Sequence, residues 1–200
     1  MRQEAVVKTA AEASNKVRTA PDNGYDRIKY WLWRRIAWKA RFGRHVLDIG
    51  RGACERDRFV ARENRQHVLG VDISHGSFPE DHAVNSEFNC RRADARKLGF
   101  LKDDSIDAVA SLYALHEMEK PIDVLKEAQR MVRPGGVILI VDFPRGSLAQ
   151  RLWNENWHAW EEVAEMLRQA GFVYVESRLV ARGQLIWAQG RKVLTGRNIP

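Results

Sequence analysis

Short apolar segments alternate with amphipathic segments along residues 45–143. The apolar segments are rich in Val and Ile, are bounded by Gly, Pro or Asp, and have the length of buried strands. They cover residues 45–49, 67–73, 88–92, 106–112 and 136–143. Residues 55–64 and 121–132 lie between them and have the apolar period of helices. Alternating strands and helices predict a parallel sheet with right-handed crossover connections.

The segment 121–132 carries the clearest helical pattern. Pro121 suits the first turn of a helix, and the run 134–136, Pro-Gly-Gly, predicts that the helix ends before it. One face of this helix is apolar. Its members are Val124, Leu125, Ala128, Met131 and Val132.

The two ends of the chain have different patterns. Residues 158–170 predict a helix followed by Gly171, a natural residue just after a helix end. Residues 172–180 and 185–193 read as strands, and their short connection predicts an antiparallel hairpin. At the other end, residues 25–42 predict a helix that carries Trp31 and Trp38, whereas residues 1–24 predict a polar arm ahead of a single domain over 25–200.

The charge of the chain is concentrated at its amino-terminal end. Residues 1–44 contain eleven Lys or Arg and four Asp or Glu, which accounts for the whole net charge of +7 in this 200-residue chain. Three interpretations of the basic helix 25–42 stay open: a covering helix whose Trp31 and Trp38 fill the core, a lid for an anionic substrate, and a contact surface for nucleic acid or an anionic membrane.

Cysteine content and hydropathy restrict the class of protein. Cys54 and Cys90 are too few for a disulfide framework and lack the paired spacing of a zinc site. The longest wholly apolar run, residues 137–141, is too short to span a membrane, and residues 1–20 lack the apolar core of a secretory signal. We therefore expect reduced thiols, no metal site and a cytoplasmic protein.

The strongest chemical motif is the run 46–54, VLDIGRGAC. An apolar strand leads into Gly50 and Gly52, and glycines let backbone N–H groups approach a ligand closely. Asp48 stands two residues before the first glycine. A carboxylate there suits a cationic ligand better than a pyrophosphate, which points to S-adenosylmethionine, with its ammonium and sulfonium groups, and away from a nicotinamide dinucleotide.

Two further acids follow the next two strands. Asp72 ends the run 68–72, VLGVD, where a carboxylate can accept hydrogen bonds from both ribose hydroxyls. The alternative is that Asp72 only caps the following turn. Asp94 follows the third strand, where its carboxylate can accept from an adenine amino group or serve as a solvated turn residue.

These motifs, taken in order with SIDAVASLYALHEM and VLKEAQRMVRPGGVILIVDF, resemble the class I S-adenosylmethionine-dependent methyltransferases. The resemblance is greatest to the small-molecule group that includes the ubiquinone/menaquinone biosynthesis C-methyltransferases. It covers residues 45–143 well and 158–193 loosely. It implies a Rossmann-like, doubly wound α/β fold whose seven-stranded sheet is mostly parallel, with a C-terminal antiparallel hairpin and an N-terminal helix.

The resemblance also implies site residues. Asp48, Gly50 and Gly52 would hold the methionine part of S-adenosylmethionine, Asp72 the ribose, and Asp94 the adenine. Ser111, at the end of the fourth strand, would line the methionine side, and Ile73 and Ala95 are assigned to the same site beside Asp72 and Asp94. The product would be S-adenosylhomocysteine.

Two positions depart from the family pattern. Cys54 stands where the third glycine of the loop is usual, and the stretch 74–88, with Gly76 and Pro79, does not have the helical pattern expected after the second strand. The first departure predicts an altered helix start, and the second a more open wall beside the adenine.

The acceptor side is weakly encoded. His116 follows the fourth strand and is either a general base that removes a proton from an oxygen or carbon acceptor or a packing residue. We expect an enzyme that methylates a small organic acceptor, which could be anionic. The alternatives are an RNA or protein methyltransferase that docks through the basic helix, and a catalytically idle regulatory protein that binds S-adenosylmethionine.

Overall fold

Seven strands form one mixed sheet in the order β3-β2-β1-β4-β5-β7-β6. The computed structural model describes residues 43–50, 65–74, 88–153, 155 and 157–194, together with Arg34 and Trp38. Its first five strands pair in parallel, and the last two pair antiparallel to their neighbours. The strands are β1 (His45–Ile49), β2 (His67–Asp72), β3 (Phe88–Arg92), β4 (Ile106–Leu112), β5 (Val132–Asp142), β6 (Val173–Val180) and β7 (Leu185–Arg191).

Three described helices accompany the sheet. They are α1 (Pro121–Met131), α2 (Leu148–Trp153) and α3 (Trp160–Gln169), and a 3₁₀ turn spans Leu115–Glu117. Helices α1 and α3 contact each other, and α3 also packs on β6 and β7. Their apolar faces bury Leu125, Met131 and Leu167 against the central strands. This packing confirms the Rossmann-like sheet with a C-terminal antiparallel hairpin.

Predicted and observed elements differ most at the start of β5. The helix ends at Met131, before the run 134–136, as predicted. The predicted start of the fifth strand at residue 136 is wrong, because the backbone is already extended at Val132 and the run lies inside β5. Gly135 has φ of +77°, and the register between β4 and β5 shifts between Ile106 and Ala108. The Pro-Gly-Gly run therefore forms an irregularity in the strand.

Helix α2 has no counterpart among the predicted elements. Its six residues follow β5, and most of its apolar side chains, including Leu152 and Trp153, are exposed. Because no apolar face of α2 is buried as a stripe, the periodicity that reveals a packed helix is absent from this segment.

The basic amino-terminal region lies largely outside the described residues. Trp38 is in helical conformation and 52% exposed, so the expectation that its indole fills the core is wrong. The predicted arm 1–24, the rest of the helix 25–42, the helix 55–64 and the open wall after β2 lie outside the described residues. So does Cys54, whereas Cys90 is half-buried in β3.

Among the described segments, no helix has the length and apolar character required to cross a bilayer.

Candidate functional site

Acidic and small residues gather where the parallel strands end. Neighbouring parallel strands place their carboxyl ends along one edge of the sheet, which is where α/β proteins bind ligands. The predicted site residues at this edge are Asp48, Gly50, Asp72, Ile73, Asp94, Ala95, Ser111 and His116. Gly52, the remaining predicted site residue, lies outside the described residues.

Gly50 forms the tight exit from β1. Its φ is +70°, and a Cβ atom at this position would lie 2.3 Å from Cβ of Ala114, which follows β4. Its backbone N–H donates to the Val71 carbonyl over 3.0 Å. Only glycine fits both the backbone conformation and the close approach of the two chain segments.

Asp48 and Ser111 are polar residues in the interior of the sheet. Asp48 is 2% exposed and Ser111 is 3% exposed, and Ser111 pairs with Ile49, the neighbour of Asp48. The Ser111 hydroxyl is buried with no hydrogen-bond partner in the described part of the chain. Since buried hydroxyls normally have partners, Ser111 is available to a polar ligand at this edge.

Asp72 and Ile73 end the second strand as a carboxylate followed by an exposed apolar residue. Oδ1 of Asp72 accepts from the backbone N–H and the hydroxyl of Ser74, each over 2.9 Å. Ile73 is 62% exposed. The structure thus contains both the predicted ribose acceptor and an apolar surface beside it, and the Ser74 contacts fix the orientation of the carboxylate.

Asp94 is held by Arg96. The guanidinium donates from Nε to Oδ1 over 3.0 Å and from Nη2 to Oδ2 over 2.8 Å, and the Arg96 backbone N–H donates to Oδ1. These contacts with Arg96 hold the pKa of the Asp94 carboxyl below its usual range. Any adenine contact of Asp94 must therefore be shared with Arg96, and its predicted role stays a prediction, as does that of the adjacent Ala95.

His116 forms a buried pair with Asp142, the last residue of β5. Its side chain is 5% exposed, and Nδ1 donates to Oδ1 of Asp142 over 2.8 Å. Asp142 also accepts from the backbone N–H groups of His116 and Phe143. A carboxylate bound at Nδ1 fixes the ring and directs Nε2, the second nitrogen, away from Asp142.

Carboxylates around the imidazole determine its protonation. Burial lowers the pKa of His116, but the hydrogen bond to Asp142 and the charges of Asp142, Glu117 and Glu155 outweigh burial and hold that pKa above its usual value. Nε2 lies 3.1 Å from Oε2 of Glu155 and 3.8 Å from Oε1 of Glu117. The ring can accept a proton and carry a positive charge here.

Aromatic rings cover the same region. The Trp157 indole lies on the His116 imidazole with ring centres 3.8 Å apart, and Phe143 contacts both Trp157 and Tyr113. Trp157 Nε1 is buried without a hydrogen-bond partner among the residues described. Tyr113 has φ of +57°, an uncommon conformation for an aromatic residue, at the end of β4.

Sequence reasoning found His116 but missed its partners. Asp142 was detectable, because it is an acid at the tip of a strand, as Asp72 is. Glu155 and Trp157 were not, since they lie in a segment with no periodic pattern that approaches His116 only in the folded chain.

Comparisons with known proteins agree with this geometry. The family model described as "Methyltransferase domain" matches residues 47–140. The chain is 28% identical over 197 residues to a demethylmenaquinone methyltransferase of Clavibacter sepedonicus, with 80% of each chain covered. It is 30% identical over 164 residues to erythromycin 3''-O-methyltransferase of Saccharopolyspora erythraea, covering 69% of this chain and 53% of that relative.

A solved structure shows the same fold. The cyclase SpnF superposes with a TM-score of 0.75 at 18% identity, covering 86% of this chain and 85% of that one. Its name denotes a cyclase, so the fold by itself does not determine the reaction.

Proposed function

Since the chain belongs to the class I S-adenosylmethionine-dependent methyltransferases, we propose that it methylates a hydroxyl oxygen of a small organic acceptor, with His116 as general base. The observation that carries this proposal is the buried His116–Asp142 pair at the carboxyl edge of the sheet. Among the possible roles of a histidine after β4, that pair supports the role of general base, because a carboxylate at Nδ1 makes Nε2 a stronger base.

The described residues fit S-adenosylmethionine. Gly50 closes a turn that a Cβ atom would block, Ser111 offers a buried hydroxyl without a partner in the described chain, and Asp48 supplies a buried carboxylate. The methionine part of S-adenosylmethionine carries an ammonium group, which would pair with the Asp48 carboxylate. It also carries its own carboxylate, which would accept hydrogen bonds from hydroxyl and N–H donors. Asp72 and the exposed Ile73 would hold the ribose and one adenine face.

When bound, S-adenosylmethionine supplies a methyl group that is activated by a sulfonium leaving group. The residues of the chain then need to bind the acceptor, exclude water and remove one proton. Nε2 of His116 would take the hydroxyl proton, and Asp142 would stabilise the resulting imidazolium through Nδ1. Trp157 and Phe143 would keep water from the imidazole.

The choice of oxygen rests on the need for a base. A neutral amine attacks without losing a proton first, whereas a hydroxyl gains greatly in nucleophilicity when its proton is removed. The name of the Saccharopolyspora relative specifies an O-methyltransferase. The name of a Roseobacter denitrificans relative, ubiquinone/menaquinone biosynthesis C-methyltransferase, makes carbon the competing acceptor atom, and analysis of the methylated product distinguishes the two.

We further propose a small-molecule acceptor and a cytoplasmic location, the latter supported by a cysteine content of two, too low for a disulfide framework. Docking of RNA or protein through the basic helix 25–42 stays a prediction outside the described residues.

The test is methyl transfer from methyl-labelled S-adenosylmethionine to a panel of phenols, quinols and secondary alcohols, with products identified by mass spectrometry. We expect a methyl ether, and His116→Gln should lower kcat by about 10²–10⁴-fold without changing the affinity for S-adenosylhomocysteine. Because the base must be neutral, kcat/KM should rise with pH through the raised pKa of His116.

His67→Gln is the matched control, because His67 begins β2 at the opposite edge of the sheet. It should retain wild-type kcat. Products methylated only at carbon or nitrogen, formed equally well by the His116→Gln variant, would refute the proposal.

A further inference from the structure

Nε2 is the ring nitrogen of His116 that would take a proton from the acceptor, and it already contacts a carboxylate. Asp142 engages Nδ1 at 2.8 Å, and Oε2 of Glu155 lies 3.1 Å from Nε2. Trp157 covers a face of the ring. An acceptor hydroxyl that approaches Nε2 must therefore occupy the position of the Glu155 carboxylate.

The Glu155 contact and the catalytic state of His116 exclude each other. A carboxylate only accepts hydrogen bonds, so Nε2 must carry a proton to contact Glu155 at this distance. A general base needs a lone pair on the same atom. With Asp142 at Nδ1 and Glu155 at Nε2, the ring is an imidazolium and cannot accept the proton of an acceptor.

We propose that Glu155 is a positioning residue that holds His116 in this protonated resting state and is displaced from Nε2 by the acceptor hydroxyl. The inference rests on the proposed function of His116 as base. Glu155 is 46% exposed, in contrast to the buried Asp142, so its carboxylate can move into water without leaving a buried charge unpaired.

The proton balance follows from this exchange. When Glu155 leaves, the Nε2 proton passes to solvent and Nε2 gains its lone pair. As the acceptor reacts, its O–H bond breaks and an Nε2–H bond forms. Glu155 then returns and accepts a hydrogen bond from this Nε2–H, which restores the protonated starting state. The one proton released in each cycle is the one that passed to solvent when Glu155 left.

Several charged or titratable groups act on the ring, and Glu155 is distinguished among them by distance and exposure. Asp142 comes from β5, Glu117 from the same 3₁₀ turn as His116, and His158 from the segment before α3. Glu117 lies farther from Nε2 than Glu155 does. Burial lowers the pKa of His158, so that ring adds little positive charge at neutral pH.

The experiment compares the full-length protein with Glu155→Gln and with a control, Glu161→Gln. Glu161 is an exposed acid in the first turn of α3. Nitrogen-15 NMR of labelled histidine gives the titration midpoint of His116, and acylation by diethyl pyrocarbonate, resolved by peptide mass spectrometry, reports the accessibility of Nε2. Neither measurement requires an acceptor or turnover.

Glu155→Gln should lower the His116 midpoint by about half a pH unit and accelerate its acylation at least about threefold at constant pH. The acylation rate of His158 should be unchanged, and Glu161→Gln should match the wild type in both measurements. An unchanged midpoint, unchanged acylation of His116, or equal acceleration at His158 would overturn the inference. Loss of methyl transfer in His116→Gln tests the proposed function separately.

Discussion

Gly50 shows how a single residue can determine whether the site forms. Gly50→Ala would place a methyl group 2.3 Å from the Ala114 Cβ atom and require φ of +70°, so the loop must move away from β4. We expect a loss of roughly 1–3 kcal/mol of stability from the backbone strain alone and weaker binding of S-adenosylhomocysteine. Thermal denaturation and ligand titration measure the two effects.

Gly99→Ala is the matched control for this substitution. A Cβ atom at Gly99 meets nothing within 4 Å, and no left-handed φ is required there. That variant should bind normally and melt within a few degrees of the wild type. Equal effects of the two substitutions would show that the close contact at Gly50 is not what shapes the site.

At the residue scale, the sequence predicts those site residues whose position follows from a strand end. Asp48, Asp72 and Ser111 lie where the strand pattern places them, because parallel strands bring their carboxyl ends together. Glu155 was not predictable, because its approach to His116 depends on a non-repetitive segment between α2 and α3. Asp94 was placed correctly, but its pairing with Arg96 depends on side-chain conformation.

At the scale of elements, Asp107 joins three strands at the edge opposite the site. Oδ2 accepts from the backbone N–H groups of Arg44 and His45 over 2.7 and 2.8 Å, and Oδ1 accepts from Nε of Arg133. Burial raises the pKa of Asp107, but these hydrogen bonds outweigh burial and hold that pKa below its usual value. Asp107 in β4 thus anchors the start of β1 to the start of β5.

Asp107→Ala should therefore destabilise the sheet without lowering the affinity for S-adenosylhomocysteine. We expect a loss of about 1–3 kcal/mol in the free energy of unfolding at pH 7, measured by urea denaturation. The pKa of Asp107 is lower in the folded than in the unfolded protein. The stability that Asp107 adds to the wild type is therefore fully present above its unfolded-state pKa of 3.8 and is lost as pH falls through its folded-state pKa. The difference between the two proteins should accordingly shrink in acid.

Asp103→Ala is the control, since Asp103 is an exposed acid paired with Arg130. It should cost at most about 1 kcal/mol, and both variants should bind S-adenosylhomocysteine as the wild type does. A loss of affinity in Asp107→Ala as large as its loss of stability would show that the two edges of the sheet are coupled.

Element boundaries were predictable where burial produces a pattern. The bounds of β1 and β4 agree with the apolar runs, because the residues of these runs are buried in the core. The bounds of β3 also agree, although its residues 89–92 are exposed or half-buried. The start of β5 and the exposed helix α2 were not predictable. In β5 the pairing with β4 continues past a Pro-Gly-Gly run that normally ends an element, and in α2 no buried stripe exists.

At the scale of the whole molecule, the fold follows from the alternation of strands and helices, whereas the proposed chemistry depends on the side chains at the carboxyl edge of the sheet. The order β3-β2-β1-β4-β5-β7-β6 brings the ends of β1, β2, β4 and β5 together. Asp48, Ser111 and Asp72 lie at this edge, where we propose that they bind a cationic, ribose-containing ligand, and the His116–Asp142 pair lies there as the proposed base.

Titration calorimetry of the full chain with S-adenosylmethionine, S-adenosylhomocysteine and NAD tests this account most directly. The buried Asp48 carboxylate complements an ammonium group and repels a pyrophosphate, so both sulfur ligands should bind at least about tenfold more tightly than NAD, a difference of roughly 1.4 kcal/mol. Asp72→Ala should weaken their binding by about 1–3 kcal/mol. Equal or tighter binding of NAD, or no heat of binding with S-adenosylmethionine, would contradict the account.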